Sequence, residues 1–115
     1  MARKSFLERN ATPCTDVTYQ DVAIARISPT LLRCVQRIAV DTGTTKATVV
    51  QFGLKHGDQV FWLGSEVQGA NSAIAAFDGT VYAPGDFVPF ARVVGGTSGQ
   101  TLALTVCAYT SDQGI

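Results

Sequence analysis

The sequence predicts an all-β chain: an antiparallel β-sandwich, jelly-roll-like, of about seven or eight short strands behind an extended N-terminal arm. Three observations carry this. Apolar residues alternate with polar ones at period two along most of the chain. Clusters of Gly, Pro, Asn and Asp interrupt that alternation at short, regular intervals. The only stretch that suggests a helical turn, Ser28 to Leu32, contains Pro29 and runs into a strand-like alternation.

In chain order, residues 1–20 read as an arm and 21–115 as the sandwich domain. Val17, Tyr19, Val22 and Ile24 open an extended stretch after Pro13. Leu32, Cys34, Ile38 and Val40 then alternate with Arg33, Arg37 and Ala39, which predicts one apolar face and one bearing arginines. After an Asp41–Thr44 turn, Thr45 to Leu54 is β-branched and places Thr48, Val50, Phe52 and Leu54 on one face. Lys55-His56-Gly57-Asp58 is a turn, and Gln59 to Gly64 a short apolar strand. A loop at Gly69–Ser72 precedes Ile74 to Phe77, Asp78-Gly79 is a tight-turn dipeptide, and Val81-Tyr82 follows. Pro84-Gly85-Asp86 is the next turn, and Pro89 marks Phe87 to Val94 as an edge or a bulge. Gly95–Gln100 leads to the longest alternation, Thr101 to Tyr109, with Leu102, Leu104, Val106 and Ala108 on one face.

Composition narrows the functional classes. At 115 residues, 46% hydrophobic and 16% charged, the chain suits one domain with its own core and does not suit disorder. The net charge is zero, which disfavours a basic nucleic-acid module, so no specific nucleic-acid partner is expected. Charge is nevertheless uneven. Arg3, Lys4, Arg9, Arg26, Arg33 and Arg37 outnumber Glu8, Asp16 and Asp21 by three before residue 38, and the remainder carries the opposite excess. Such asymmetry marks a segment suited to an oppositely charged surface. No signal-peptide run follows Met1–Arg9 and no apolar run is long enough to span a membrane, so assembly in a reducing cytoplasm is expected. Cys14, Cys34 and Cys107 are an odd number, which fits no complete disulfide framework, and Cys34 and Cys107, in alternating apolar stretches, read as small buried hydrophobes. Asn10-Ala11-Thr12 matches a glycosylation acceptor without the secretory signal it needs.

The inventory for chemistry is poor. His56 is the only histidine and lies in a turn. No serine occupies a G-x-S-x-G elbow; Ser98 has Gly96 before it but Gln100 after. No Cys or His spacing suits a metal, and Asp41, Asp58, Asp78, Asp86 and Asp112 fall at turns, where carboxylates cap local backbone. Gly95–Gly99 lacks the lysine and helix of a phosphate loop. Phe61-Trp62 has no cation beside it in sequence, which favours a core or subunit contact over nucleic-acid stacking. No catalytic, cofactor-binding or metal residue is therefore assigned, and the chain is expected not to be an enzyme.

The succession of segments resembles small β-sandwich proteins of tailed-bacteriophage particles. The likeness runs from Ile24 to Thr110 through LLRCVQRIAV, TTKATVVQFGLKHG, the short strand Val60–Gly64, the Asp78-Gly79 turn, Pro84–Asp86 and FARVVGGTSGQTLALTVCAYT. It implies a capsid cement or decoration subunit of the virion, with head-fibre and neck or tail accessory roles as alternatives. It also implies binding to the major capsid protein or other virion proteins and to copies of itself, with a trimer favoured. The expected contacts are Arg3, Phe6, Leu7 and Arg9 in the arm, with Trp62, Phe87 and Phe90 on the sandwich. A rival of another class is a carbohydrate-binding sandwich using Trp62, Tyr82 and loop aspartates.

Overall fold

The computed structural model describes residues 3–43, 49–67 and 74–112, with side chains over 7–43, 49–67 and 74–111. Eight strands follow in order: β1 (Arg3–Pro13), β2 (Tyr19–Ala23), β3 (Leu31–Asp41), β4 (Val49–His56), β5 (Gln59–Glu66), β6 (Ile74–Pro84), β7 (Val88–Val94) and β8 (Thr101–Asp112). They form two four-stranded antiparallel sheets, ordered β1-β8-β3-β6 and β2-β7-β4-β5. That order is the double Greek key of a jelly roll.

The inner faces supply one core. Leu102, Leu104, Val106 and Ala108 of β8, with Val35, Ile38 and Val40 of β3, meet Val50 and Phe52 of β4, Ala91 and Val93 of β7 and Val22 of β2. The β8 alternation is the one the sequence predicts. The β4–β5 hairpin turns at Gly57 and Asp58, where Gly57 takes φ +61°, a conformation glycine reaches without steric cost. Thr45–Thr48, the start of the β-branched stretch expected to run to Leu54, and the Gly69–Ser72 loop lie outside the described residues.

Four expectations change. First, Arg3–Pro13 is not separate from the sandwich: it pairs residue by residue with β8, from Arg3 opposite Ser111 to Pro13 opposite Thr101. Charges and a proline are common on edge strands, and in sequence such a strand looks like a polar arm. Second, β3 has a register shift between Val35 and Arg37. The extra residue turns Arg33 inward with Val35 and leaves Cys34 and Arg37 on the outer face. Third, Asp78-Gly79 is no hairpin turn but lies inside β6, where that irregularity falls. Fourth, β7 is a central strand: Pro89 accepts at its carbonyl from Ile24 N at 3.4 Å, so its missing N–H falls on the side of β2, whose pairing with β7 ends at Phe90.

Arg33 is completely buried. Its Nη2 donates to Ala25 O at 2.9 Å and its Nη1 to Phe87 O at 3.2 Å, tying the β2–β3 loop to the start of β7. Glu8 of β1 faces it more loosely, with Nη2–Oε1 and Nε–Oε2 both at 3.4 Å. The second of these is an ion pair without hydrogen-bond geometry. Burial pushes the Glu8 carboxyl above its ordinary value against the pull of Arg33, and burial lowers Arg33.

Candidate functional site

The outer face of β2-β7-β4-β5 carries the most developed side-chain cluster. Alternation on β7 sends Ala91 and Val93 to the core and Phe90 and Arg92 outward. Register then places Asp21 beside Arg92, and Gly53 of β4 between Phe90 and Trp62 of β5. Gly53 is required by this crowding, because a Cβ there would stand 2.7 Å from Phe61 O and 3.0 Å from the Phe90 ring.

Electrostatics fix the cluster. Asp21 accepts from Arg92 Nε at 2.7 Å and Nη2 at 3.0 Å, and also pairs with Lys55 Nζ. The Arg92 guanidinium lies 4.4 Å from the centre of the Tyr19 ring and 5.1 Å from that of Trp62. Lys55 Nζ is 4.5 Å from the centre of the Phe90 ring, which Trp62 also covers at a centroid distance of 5.5 Å. Phe90 thus has no exposed surface while Tyr19 and Trp62 remain 46% and 47% exposed. The result is a stacked Tyr–Arg–Trp surface on an apolar floor, held by one carboxylate shared between two cations. A shallow groove lined by Gln51, Trp62, Leu63, Gly64 and Ser65 runs beside it.

Burial raises the Asp21 carboxyl, but hydrogen bonds from Arg92 and Lys55 and their charges outweigh it and hold the group below its ordinary 3.8. An acid whose folded pKa is depressed contributes stability that is present above its unfolded pKa and is lost as pH falls through the folded value. Asp21→Asn is therefore expected to cost about 1–3 kcal/mol at pH 7. The gap between wild type and variant should close as pH drops below 3.8, as read from urea unfolding midpoints. A gap independent of pH would show that the Asp21 charge does not hold the cluster.

The expected contact residues separate. Trp62 belongs to the cluster and is open to solvent, whereas Phe90 lies beneath it and offers no surface. Phe87 sits at one end of the sandwich, stacked on His56 with centroids 4.5 Å apart and 8° between planes, and tilted against Phe61. His56 Nε2 lies 3.0 Å from Asp86 Oδ2, so the lone histidine links two turns. Leu7 and Arg9 are exposed on the outer face of the other sheet, opposite Cys107 and Thr105. Arg3 and Phe6 are placed by register opposite Ser111 and Ala108, and their side chains lie outside the described residues. Tyr82, exposed, stands on β6 of that sheet, away from Trp62. Sequence reading missed Tyr19, Asp21, Lys55 and Arg92 as a unit, because two separate strand pairings, β2 with β7 and β4 with β7, bring them together.

Among the described residues no group of three His, Cys, Asp or Glu is placed to hold a metal, and no helix is long and apolar enough to cross a membrane. No protein-family model matches the chain, and comparison with curated proteins gives no match. Solved structures do match. A chain of the Bacillus endospore appendages, described as disulfide-linked pili, is 16% identical over 99% of this chain and 93% of that one, with a TM-score of 0.48. A chain from the virus-like particle of the giant freshwater prawn Macrobrachium rosenbergii extra small virus is 8% identical over 97% of this chain and 80% of that one, at 0.51. At such identities the likeness is one of fold, and it agrees with the strand order: the chain is a jelly-roll sandwich.

Proposed function

We propose that this chain is a non-enzymatic structural subunit of a virion, most specifically a cement or decoration protein of a tailed-phage capsid. It would bind the shell through the Tyr19–Arg92–Trp62 face and also bind copies of itself. The observation that carries the reading is that this cluster lies on the outer face of a sheet, with Tyr19 and Trp62 about half exposed. Tyr, Trp and Arg are the residue types that dominate binding energy at protein interfaces. Here all three are held in place before any partner arrives, so less freedom is lost on docking. The virion setting is supported by the resemblance of the strand and turn sequence to phage-particle sandwiches, and by a fold shared with a virus-like-particle chain.

Mass spectrometry of purified particles tests the setting, since absence of the chain from them would end it. Rebinding of the purified protein to particles stripped of it tests the face. Trp62→Ala is expected to weaken rebinding about 30-fold, equivalent to about 2 kcal/mol. His56→Ala should leave it unchanged. Unaltered affinity of Trp62→Ala would move the contact elsewhere. The groove beside Trp62, with the Gln51 amide and Ser65 hydroxyl along it, supports a second reading, saccharide binding. Calorimetric titration with free glycans separates the two, because a shell-binding subunit gives no signal there.

A further inference from the structure

The two edges of the sheet β1-β8-β3-β6 are complementary to each other. Both β1 and β6 are 11 residues long. By contrast β2 and β5, the edges of the second sheet, have 5 and 8 residues. Strand β1 carries Arg3, Lys4 and Arg9, and its one acid, Glu8, is turned inward to Arg33. Asp78 is the only charge on β6. Because neighbours in this sheet are all antiparallel and the strands number four, β1 and β6 run in opposite directions. A second copy laid alongside in the same orientation therefore presents its β1 antiparallel to β6 of the first.

The hydrogen-bonding faces agree as well. Ala76 N–H points away from β3, toward Glu66 Oε2 at 3.4 Å, so the backbone groups of Ala76 and, two residues on, Asp78 face the edge. Carrying the alternation through Ala76 opposite Ala39, Ala39 opposite Thr105 and Thr105 opposite Arg9 makes Arg9 and Ala11 the edge-facing residues of β1. Pro13 falls in the same set, where a missing N–H breaks no internal ladder. Aligning the two strands end to end, Pro13 against Ile74 and Arg3 against Pro84, sets Ala11 opposite Ala76 and Arg9 opposite Asp78. Edge-facing groups meet edge-facing groups. Arg9 and Asp78 are also both exposed on the outer face, where Asp78 already lies 3.5 Å from Arg37.

We propose that copies of this chain assemble head to tail by pairing β1 of one with β6 of the next, Arg9 facing Asp78 and Ala11 facing Ala76. This rests on the assembly reading above and names its self-contact. Main-chain bonds over Arg9–Ala11 and Ala76–Asp78, the part of β6 before its irregularity, supply the affinity, and the Arg9–Asp78 pair sets the register. The Glu66 carboxylate, weakly held, leaves the Ala76 N–H as the partner strand arrives. Such a contact is heterologous, so it closes into a ring or grows as a filament according to the twist between copies.

Sedimentation velocity of the pure, full chain over a concentration series tests this. Wild type is expected to form oligomers that grow with concentration and weaken with salt. Arg9→Glu and Asp78→Arg should each weaken association at least about ten-fold. An equimolar mixture of the two, or both changes in one chain, should restore it. Ala76→Pro removes an edge donor without touching the β3 ladder and should give a folded monomer by circular dichroism. A wild type that stays monomeric overturns the proposal, as does normal association of both charge variants. Rebinding to stripped particles tells the two readings apart. Shell binding without self-association removes the edge pairing alone, and self-association without shell binding removes the cement role alone.

Discussion

Arg33→Met is expected to destabilise the protein by about 3–5 kcal/mol, the cost of breaking a buried ion pair by removing one partner. Three groups lose their donor at once. Ala25 O and Phe87 O, both at part-buried contacts, accept from the guanidinium at 2.9 and 3.2 Å, and losing a hydrogen bond from a charged donor costs about 1.5–3 kcal/mol. Glu8 loses the cation that opposes its burial. A double change, Glu8→Gln with Arg33→Met, should recover only the part owed to the orphaned carboxylate, since the two carbonyls stay unmet. The double-mutant cycle reads this as a coupling of about 0.5–3 kcal/mol.

Acid gives a second signature of Arg33. An acid whose folded pKa is raised contributes stability that is full below its unfolded pKa and lost as pH rises through the folded value. Glu8 is already raised above 4.5, and without Arg33 it rises further. The deficit of Arg33→Met should therefore shrink on acidification toward and below pH 4.5, as a protonated Glu8 needs no cation. Guanidinium unfolding of both proteins at neutral and acid pH measures it. A deficit under about 1 kcal/mol at neutral pH would mean that water, and not Arg33, satisfies those groups.

Arg33 also shows where the sequence is legible and where it is not. The alternation of β8 is unbroken, so its inward set, Leu102 to Ala108, can be read directly. On β3 the same rule fails at one residue. Arg33 and Arg37 are four apart and read as neighbours on one outer face, but the extra residue between Val35 and Arg37 reverses the parity and buries Arg33. Nothing local to Gln36 signals a bulge. Asp78-Gly79 misleads in a related way, because the dipeptide that favours a tight turn also fits an irregularity inside a strand. The Tyr–Arg–Trp cluster fails for a different reason. Phe61-Trp62 has no cation nearby in sequence, yet Lys55 and Arg92 reach Phe90 and Trp62 through strand pairings from β4 and β7. Such non-local neighbours become visible only once strand order is known.

Phe90→Ala is the second change expected to have a large effect, about 3–5 kcal/mol of stability, as for a fully buried phenylalanine cut to alanine. In sequence, Phe90 falls among the expected interface contacts of the sandwich. It is neither an open contact nor part of the inter-sheet core: it is the floor on which Trp62, Lys55 and Arg92 rest. This position separates it from Trp62 experimentally. Trp62→Ala removes a half-exposed ring and should lower the unfolding midpoint far less than Phe90→Ala while weakening shell binding strongly. Phe90→Ala should do both, since its loss leaves a cavity beneath the cluster, bordered by Gly53, which has no side chain to fill it. Phe90→Leu, which restores most of the volume, should recover most of the stability and the binding with it. If Phe90→Ala instead left the midpoint unchanged and abolished binding, the ring would be a contact after all, and the covered floor described above would be wrong.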